Sequence, residues 1–128
     1  MKLNVSVEEI MSREFPVVDM SQKLVDCANA VGGNSVCLVM NNGNFRGIIS
    51  PKEVISGFLN GDEEIREKDL IKDMGSIDAS EDVSYLLKLM EKNGLQFVLV
   101  RKEGNVIGVV TRQDLLKIPY LLNNLLMA

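Results

Sequence analysis

The chain contains no histidine among its 128 residues, no tryptophan and only two cysteines. The lack of histidine excludes a Ser-His-Asp or Cys-His nucleophile system and every zinc site with a histidine ligand. A glycine-rich phosphate loop of the Walker type is absent as well. Cys27 and Cys37 lie in apolar segments and are not spaced as metal ligands. We therefore expect buried structural thiols in a reducing compartment, no metal site and no enzymatic activity.

Long apolar runs and a basic surplus are also missing. No run approaches the roughly 18 residues that a membrane span requires, and the first five residues do not begin a signal peptide. The net charge of −4 argues against nucleic-acid binding, which needs a clustered basic face. We expect a cytoplasmic protein with neither a membrane nor a nucleic acid as its partner.

What the chain does contain is the same unit twice. The segment Gly47–Glu53 returns in the second half of the chain as Gly108–Asp114. Both copies read glycine, two β-branched residues, a hydroxyl, two variable residues and a carboxylate. Two apolar helical faces also correspond, Leu24–Val31 and Val83–Met90, at almost the same separation along the chain. Such a repeat indicates supersecondary units that do not bury their apolar faces alone.

Each repeat has the pattern of a β-α-β-β-α unit. Val36–Met40 is a continuous apolar run with β-branched members, typical of a strand covered on both faces. Ser21 and Ser80 stand where the first helix of each repeat would have its N-cap. The sequence predicts an α/β (α+β) fold of two such repeats, residues 1–62 and residues 63–128.

The end of the chain is apolar. Pro119 interrupts or ends the last helix, and an apolar stripe follows it. The stripe consists of Leu121, Leu122, Leu125 and Leu126. It docks on the domain, pairs with a second copy of the chain, or continues into a further domain of a longer protein. Of these alternatives we expect a homodimer.

The two motifs allow two interpretations. A hydroxyl with a carboxylate three residues on is a capping box, in which both groups satisfy free backbone amides. Ser50 and Glu53 suit this reading well, because the longer glutamate reaches back easily. The second copy pairs Thr111 with the shorter Asp114, and Arg112 adds a cation that suits a phosphate. The carboxylate can also accept two hydrogen bonds from a ribose diol. Both readings stay open.

With these motifs the chain resembles a tandem cystathionine-β-synthase (CBS) domain pair, or Bateman module, over about Val7 to Ile118. The second motif, Gly-Val-Val-Thr-Arg-Gln-Asp, matches the family pattern, whereas the first departs from it at Glu53. The resemblance implies two repeats packed about a pseudo-twofold axis. It also implies two clefts between them, each able to bind an adenosine compound.

The resemblance assigns roles in the second cleft. Asp114 would hold the ribose, and Thr111 with Arg112 would contact the phosphate. Ile77 and Val98, with nearby backbone, would hold the base.

The first cleft is expected to be the weaker site. Its residues would be Ser50 and Glu53, where the longer side chain changes the reach to a ribose and Pro51 removes an amide. The implied function is a regulatory module that binds AMP, ADP, ATP or S-adenosylmethionine and controls a fused or partner effector, with no cofactor required. The alternative is a ligand-free interaction or dimerisation module in which both hydroxyl–carboxylate pairs are helix caps.

Overall fold

A computed structural model describes residues 2–32, 36–72 and 74–127, with side chains as far as residue 122. The elements in chain order are α1 (Val7–Ile10), β1 (Val17–Asp19), α2 (Leu24–Val31), β2 (Cys37–Asn41), β3 (Asn44–Ile49), α3 (Pro51–Leu59), a 3₁₀ turn (Glu67–Asp69), β4 (Gly75–Asp78), α4 (Val83–Asn93), β5 (Phe97–Lys102), β6 (Asn105–Thr111), a 3₁₀ helix (Arg112–Lys117) and α5 (Ile118–Met127).

The chain divides into two compact units, which we name after the hydroxyl residue of their motif. The Ser50 unit is Phe15–Asp73, and the Thr111 unit combines Met1–Glu14 with Met74–Ala128. The predicted α+β fold of two β-α-β-β-α repeats is confirmed, with one three-stranded sheet in each unit. The sequence division into residues 1–62 and 63–128 stays a prediction.

The Ser50 unit is built on the sheet β1-β2-β3. Strand β1 is parallel to β2, and β2 is antiparallel to β3. The central strand is buried from Cys37 to Val39, as the continuous apolar run predicts. Helices α2 and α3 contact each other beside this sheet. The core consists of Val18, Leu24, Cys27, Val31, Cys37, Val39, Ile49, Val54, Ile65 and Leu70.

The Thr111 unit repeats this arrangement in the sheet β4-β5-β6, again parallel and then antiparallel. The first residues of the chain belong to this unit through backbone hydrogen bonds. The Val7 amide donates to the Glu81 carbonyl and the Val83 amide to the Val5 carbonyl, both at 2.8 Å. The core consists of Val5, Val7, Ile10, Met11, Ile77, Ala79, Val83, Leu86, Met90, Val98, Val100, Val110 and Ile118.

In each unit a chain segment distant in sequence pairs with the last strand beside the motif. Ile48 and Ile71 exchange two backbone hydrogen bonds in the Ser50 unit, at 3.0 and 2.7 Å. Ser12 and Val109 do the same in the Thr111 unit, at 2.8 and 3.1 Å. Through the second of these bridges, Ser12 lies beside the start of the second motif.

The bridges explain the glycine that opens each motif. A Cβ atom on Gly47 would lie 2.9 Å from the Cβ of Leu70, and one on Gly108 would lie 2.5 Å from the sulfur of Met11. Contacts this short require a neighbour to move. Glycine is therefore needed here for close backbone approach, and its conformational freedom is not the reason.

The predicted N-caps Ser21 and Ser80 are wrong. Helix α2 has its N-cap at Lys23 and helix α4 at Asp82, whose carboxylate accepts the Ser84 amide. The two serines belong to the turn that precedes each helix, where the backbone amide of each serine donates to the carboxylate of an aspartate two positions before it. This local side-chain-to-backbone turn competes with helix capping and moves the N-cap of each helix two positions further along the chain.

The prediction that Pro119 interrupts or ends the last helix is wrong, because α5 begins at Ile118 and runs across the proline. Proline lacks an amide and its ring clashes with the carbonyl four residues earlier. The chain accordingly runs as a 3₁₀ helix over Arg112–Lys117 and becomes α-helical from Ile118, where Pro119 falls in the first turn. The corresponding helix α3, without such a proline, is α-helical from its start.

Part of the leucine stripe docks on its own unit. Leu121 and Leu122 pack against the core of the Thr111 unit, the first of the three predicted alternatives. The side chains of Leu125 and Leu126 lie outside the described residues.

Both cysteines are free and buried, as predicted for structural thiols. The hydrogen bond with Cys27 and burial both raise the pKa of the Cys37 thiol, so it is held in the unreactive protonated form. Within the part of the chain that the structure describes, no helix is both long and apolar enough to cross a membrane.

Candidate functional site

In the Ser50 unit the motif forms a closed helix cap. The Glu53 carboxylate accepts the Ser50 amide at 3.1 Å and also the Ser50 hydroxyl. Pro51 occupies the first helical position, where its missing amide costs nothing. The sequence predicts this capping box, and the geometry agrees with it.

In the Thr111 unit the motif forms the same cap. The Asp114 carboxylate accepts the Thr111 amide at 2.9 Å and the Thr111 hydroxyl at 3.3 Å, both through Oδ2. The shorter side chain of aspartate therefore reaches the N-cap amide, although the sequence alone suggests a poorer fit. The length of the carboxylate side chain therefore does not decide between capping and ligand binding, because the shorter Asp114 also forms the cap.

Asp114 has further partners that sequence reasoning missed. The Ser12 hydroxyl donates to Oδ1 at 2.9 Å, and the Lys117 ammonium donates to the same oxygen at 2.9 Å. Lys117 also donates to the Ile10 carbonyl at 3.0 Å. Asp114 is only 5% exposed. The spacing of three residues between Asp114 and Lys117 is a signal for a helical ion pair, whereas no local signal points to Ser12.

The other predicted residues of this site differ in burial. Arg112 is exposed at the start of the 3₁₀ helix. Ile77 and Val98 have their side chains in the core of the unit, at 5% and 0% exposure. At these two strand positions a ligand could therefore contact only the backbone. Their contact with a base stays a prediction.

A buried acidic pair lies in the Ser50 unit, apart from the motif. Asp62 and Asp69 are 9% and 8% exposed. Asp62 forms ion pairs with Arg66 and Lys68, at 3.2 and 3.3 Å. Burial raises the pKa of Asp69, and the charge of Asp62 raises it further. Among the described residues, no group of three or more cysteines and carboxylates is arranged to hold a metal ion.

The helical segments that follow the two motifs expose large apolar side chains at matching positions. Ile55 and Leu59 on α3 are 57% and 83% exposed. Leu116 and Tyr120, at the equivalent positions after the second motif, are 68% and 75% exposed. In the Ser50 unit, Ile55 also lines an apolar groove between α2 and α3.

Several solved structures, among them CBS domain proteins, share this architecture. A Vibrio cholerae protein named for acetoin utilisation (AcuB) has a TM-score of 0.81 at 17% identity, with 96% of each chain covered. An uncharacterised conserved protein from Pyrococcus horikoshii has a TM-score of 0.79 at 18% identity, covering 93% of this chain and 95% of that one. The CBS domain pair of protein MJ0100, solved with 5′-methylthioadenosine and S-adenosyl-L-methionine, has a TM-score of 0.76 at 18% identity, covering 91% and 96%.

The family model described as CBS domain matches the chain twice, over residues 7–60 and 64–120. The chain therefore belongs to the CBS domain family, as a tandem pair. A curated relative, an uncharacterised protein of Methanocaldococcus jannaschii, is 31% identical over 81 residues, which are 62% of this chain. The match covers 27% of that relative, so the chain spans only about a quarter of its length.

Proposed function

We propose that this CBS pair is a regulatory module that binds an adenosine-containing ligand, AMP, ADP, ATP or S-adenosylmethionine, at the motif of the Thr111 unit. The observation that carries the proposal is the combination of a hydroxyl, an arginine and a carboxylate at the end of β6. Thr111, Arg112 and Asp114 stand close together along the chain there, and both repeats match the family.

The chemistry of these three side chains fits such a ligand. A carboxylate accepts hydrogen bonds only, so Asp114 is suited to the two hydroxyl donors of a ribose diol. The exposed guanidinium of Arg112 is suited to two phosphate oxygens, and the Thr111 hydroxyl adds one more donor. The backbone of β4 and β5 at Ile77 and Val98 would contact the base.

The known ligands of a structural neighbour point in the same direction. The CBS pair of protein MJ0100 was solved with two adenosine-containing compounds, which supports this ligand class over unrelated small molecules. Regulation then requires that the ligand bind two conformations of the module with different affinity, because only a difference in affinity shifts an equilibrium. The controlled effector is a fused domain or a separate partner in the cytoplasm, and the module itself carries out no reaction.

Calorimetric titration of the purified chain with AMP, ATP and S-adenosylmethionine tests the proposal. We expect binding by the parent chain and a loss of about one to two orders of magnitude in affinity for Asp114→Ala, as for a lost hydrogen bond to a charged group. Glu53→Ala is the matched control and should bind as the parent does. Circular dichroism checks that each variant is folded.

A second variant separates the phosphate contact from the ribose contact. Arg112→Ala should weaken AMP and ATP binding while leaving adenosine binding unchanged, because adenosine has no phosphate. If the parent binds none of these compounds at concentrations on the order of 1 mM, the ligand proposal is refuted.

A second candidate function is a dimerisation module, and one observation favours it. Ile55 and Leu116, and likewise Leu59 and Tyr120, are exposed at equivalent positions of the two units. Repeated apolar exposure of this kind marks protein interaction surfaces. We propose that a second copy of the chain covers these positions in a homodimer.

Sedimentation of the parent and of the double variant Ile55→Ser/Leu116→Ser tests the dimer. We expect a dimer for the parent and a monomer for the variant, since two buried apolar contacts would be lost from each copy. A parent chain that remains monomeric at high micromolar concentration would contradict this candidate.

A further inference from the structure

The Asp114 carboxylate is fully engaged within its own unit. Its two oxygens accept the Thr111 amide and hydroxyl, the Ser12 hydroxyl and the Lys117 ammonium. A carboxylate offers about four acceptor positions. A ribose diol that donates two hydrogen bonds needs two of these positions, so it must displace two of the donors already present.

The donors differ in how easily they leave. The Thr111 amide is part of the backbone, and Ser12 is fixed by its two backbone hydrogen bonds to Val109. Lys117 ends in a flexible four-carbon stem, and its side chain is 49% exposed. Its ammonium regains full hydration when it leaves, which offsets the loss of its contacts to the buried Asp114 and to the Ile10 carbonyl. Together with the Thr111 hydroxyl, whose contact is the longest at 3.3 Å, Lys117 is consequently a donor that a ligand can displace.

The Ser50 unit shows the motif without this lysine. Aligning the two motifs places Ser56 at the position of Lys117. Ile71, which bridges to Ile48, stands where Ser12 bridges to Val109. Neither Ser56 nor Ile71 can supply a cation to Glu53. The lysine is thus an addition of the Thr111 unit and not a general requirement of the helix cap.

We propose that Lys117 competes with the ribose of the ligand for Asp114, so that it sets the affinity of the site and holds it closed without ligand. The inference rests on the proposed function. Lys117 would then lower the affinity for the ligand, because its ammonium binds the carboxylate of Asp114 that the ribose also needs. Once displaced, its ammonium is free to meet the phosphate of a nucleotide, so the competition is felt most strongly by an uncharged nucleoside.

Calorimetric titration with adenosine and with AMP tests the competition in the parent chain, Lys117→Met and Lys88→Met. Methionine keeps an apolar stem of similar length and lacks the ammonium. Lys88 is exposed on α4, so its replacement controls for the change of net charge. We expect Lys117→Met to bind adenosine about 5-fold more tightly than the parent, the scale of a partly exposed ion pair. The gain with AMP should be smaller, and Lys88→Met should bind adenosine as the parent does.

The outcomes separate the two proposals. Adenosine binding by the parent with equal or weaker binding by Lys117→Met would overturn the competition and leave the proposed function standing. An equal gain in Lys88→Met would overturn it too, because net charge would then be the cause. Adenosine binding by Lys117→Met alone, with AMP bound by the parent, would support both proposals. If no chain binds adenosine or AMP, the competition fails, and the proposed function then depends on the titrations with ATP and S-adenosylmethionine.

Discussion

The two units carry the same motif with the same cap, yet the carboxylates have different surroundings. Glu53 is partly exposed and accepts the Ser50 amide at 3.1 Å. Asp114 is buried and accepts the Thr111 amide at 2.9 Å, with Ser12 and Lys117 added. The difference arises outside the motif itself, in part from a segment at the far end of the chain. A repeated motif therefore fixes the local cap, and the surrounding fold decides how accessible its carboxylate is.

The largest expected effect concerns the stability that each carboxylate provides. We expect Asp114→Ala to lower the free energy of unfolding by about 2–3 kcal/mol, because several donors around a buried charge lose their acceptor. Glu53→Ala should lower it by about 1 kcal/mol, as for a lost cap. Urea unfolding of both variants measures the difference. Equal losses would show that the added contacts of Asp114 contribute no stability.

The motif glycines offer a sharper test of the close backbone approach. We expect Gly47→Ala to destabilise by about 2–3 kcal/mol and Gly108→Ala by about 1 kcal/mol, within the usual range for overpacking. The Cβ of Leu70 cannot move away from the first, whereas the flexible thioether of Met11 can move away from the second. Thermal unfolding of both variants decides the order. A larger loss for Gly108→Ala would contradict it.

The smallest expected effect concerns pH. The contributions of Asp69 in the Ser50 unit and Asp82 in the Thr111 unit to the free energy of unfolding should change in opposite directions with pH. The pKa of Asp69 is raised by burial and by Asp62, so its contribution to stability is present below about pH 4. That contribution is lost as the pH rises through the folded-state value. The pKa of Asp82 is lowered by hydrogen bonds from the Ser84 hydroxyl and the Leu3 amide. Its contribution is present above about pH 4 and is lost on acidification.

Urea unfolding between about pH 3 and about pH 7 checks these signs. Relative to the parent, Asp69→Asn should gain stability as the pH rises, and Asp82→Asn should gain stability as the pH falls. If the difference in unfolding free energy from the parent is the same at every pH for both variants, titration of these carboxyls does not contribute to stability, and the substitutions act through packing alone.

Much of the fold could be predicted because the repeat is written in short-range patterns. The continuous apolar run at Val36–Met40 predicts the central strand, and the recurrence of the motif in the second half predicts two similar units. The predicted caps at Ser21 and Ser80 fail for a local reason, since an aspartate two residues earlier takes the serine amide first. A hydroxyl residue before a helix is thus a weaker signal when an aspartate precedes it.

The candidate site could be predicted only in part. Thr111, Arg112 and Asp114 stand together in the sequence, so the motif alone identifies them. Lys117 could have been found from its helical spacing to Asp114. Ser12 could not, because it reaches the site through a backbone bridge to Val109 that no local pattern encodes.

The most direct test of a ligand site in the Thr111 unit is to follow backbone amide resonances while AMP is added to the parent chain. The Thr111 amide donates to Asp114, and the Ser50 amide donates to Glu53, so each amide reports on one carboxylate. We predict that the Thr111 resonance shifts in a saturable manner while the Ser50 resonance stays in place. A shift of Ser50 alone, or of neither resonance, would contradict a ligand site at Asp114.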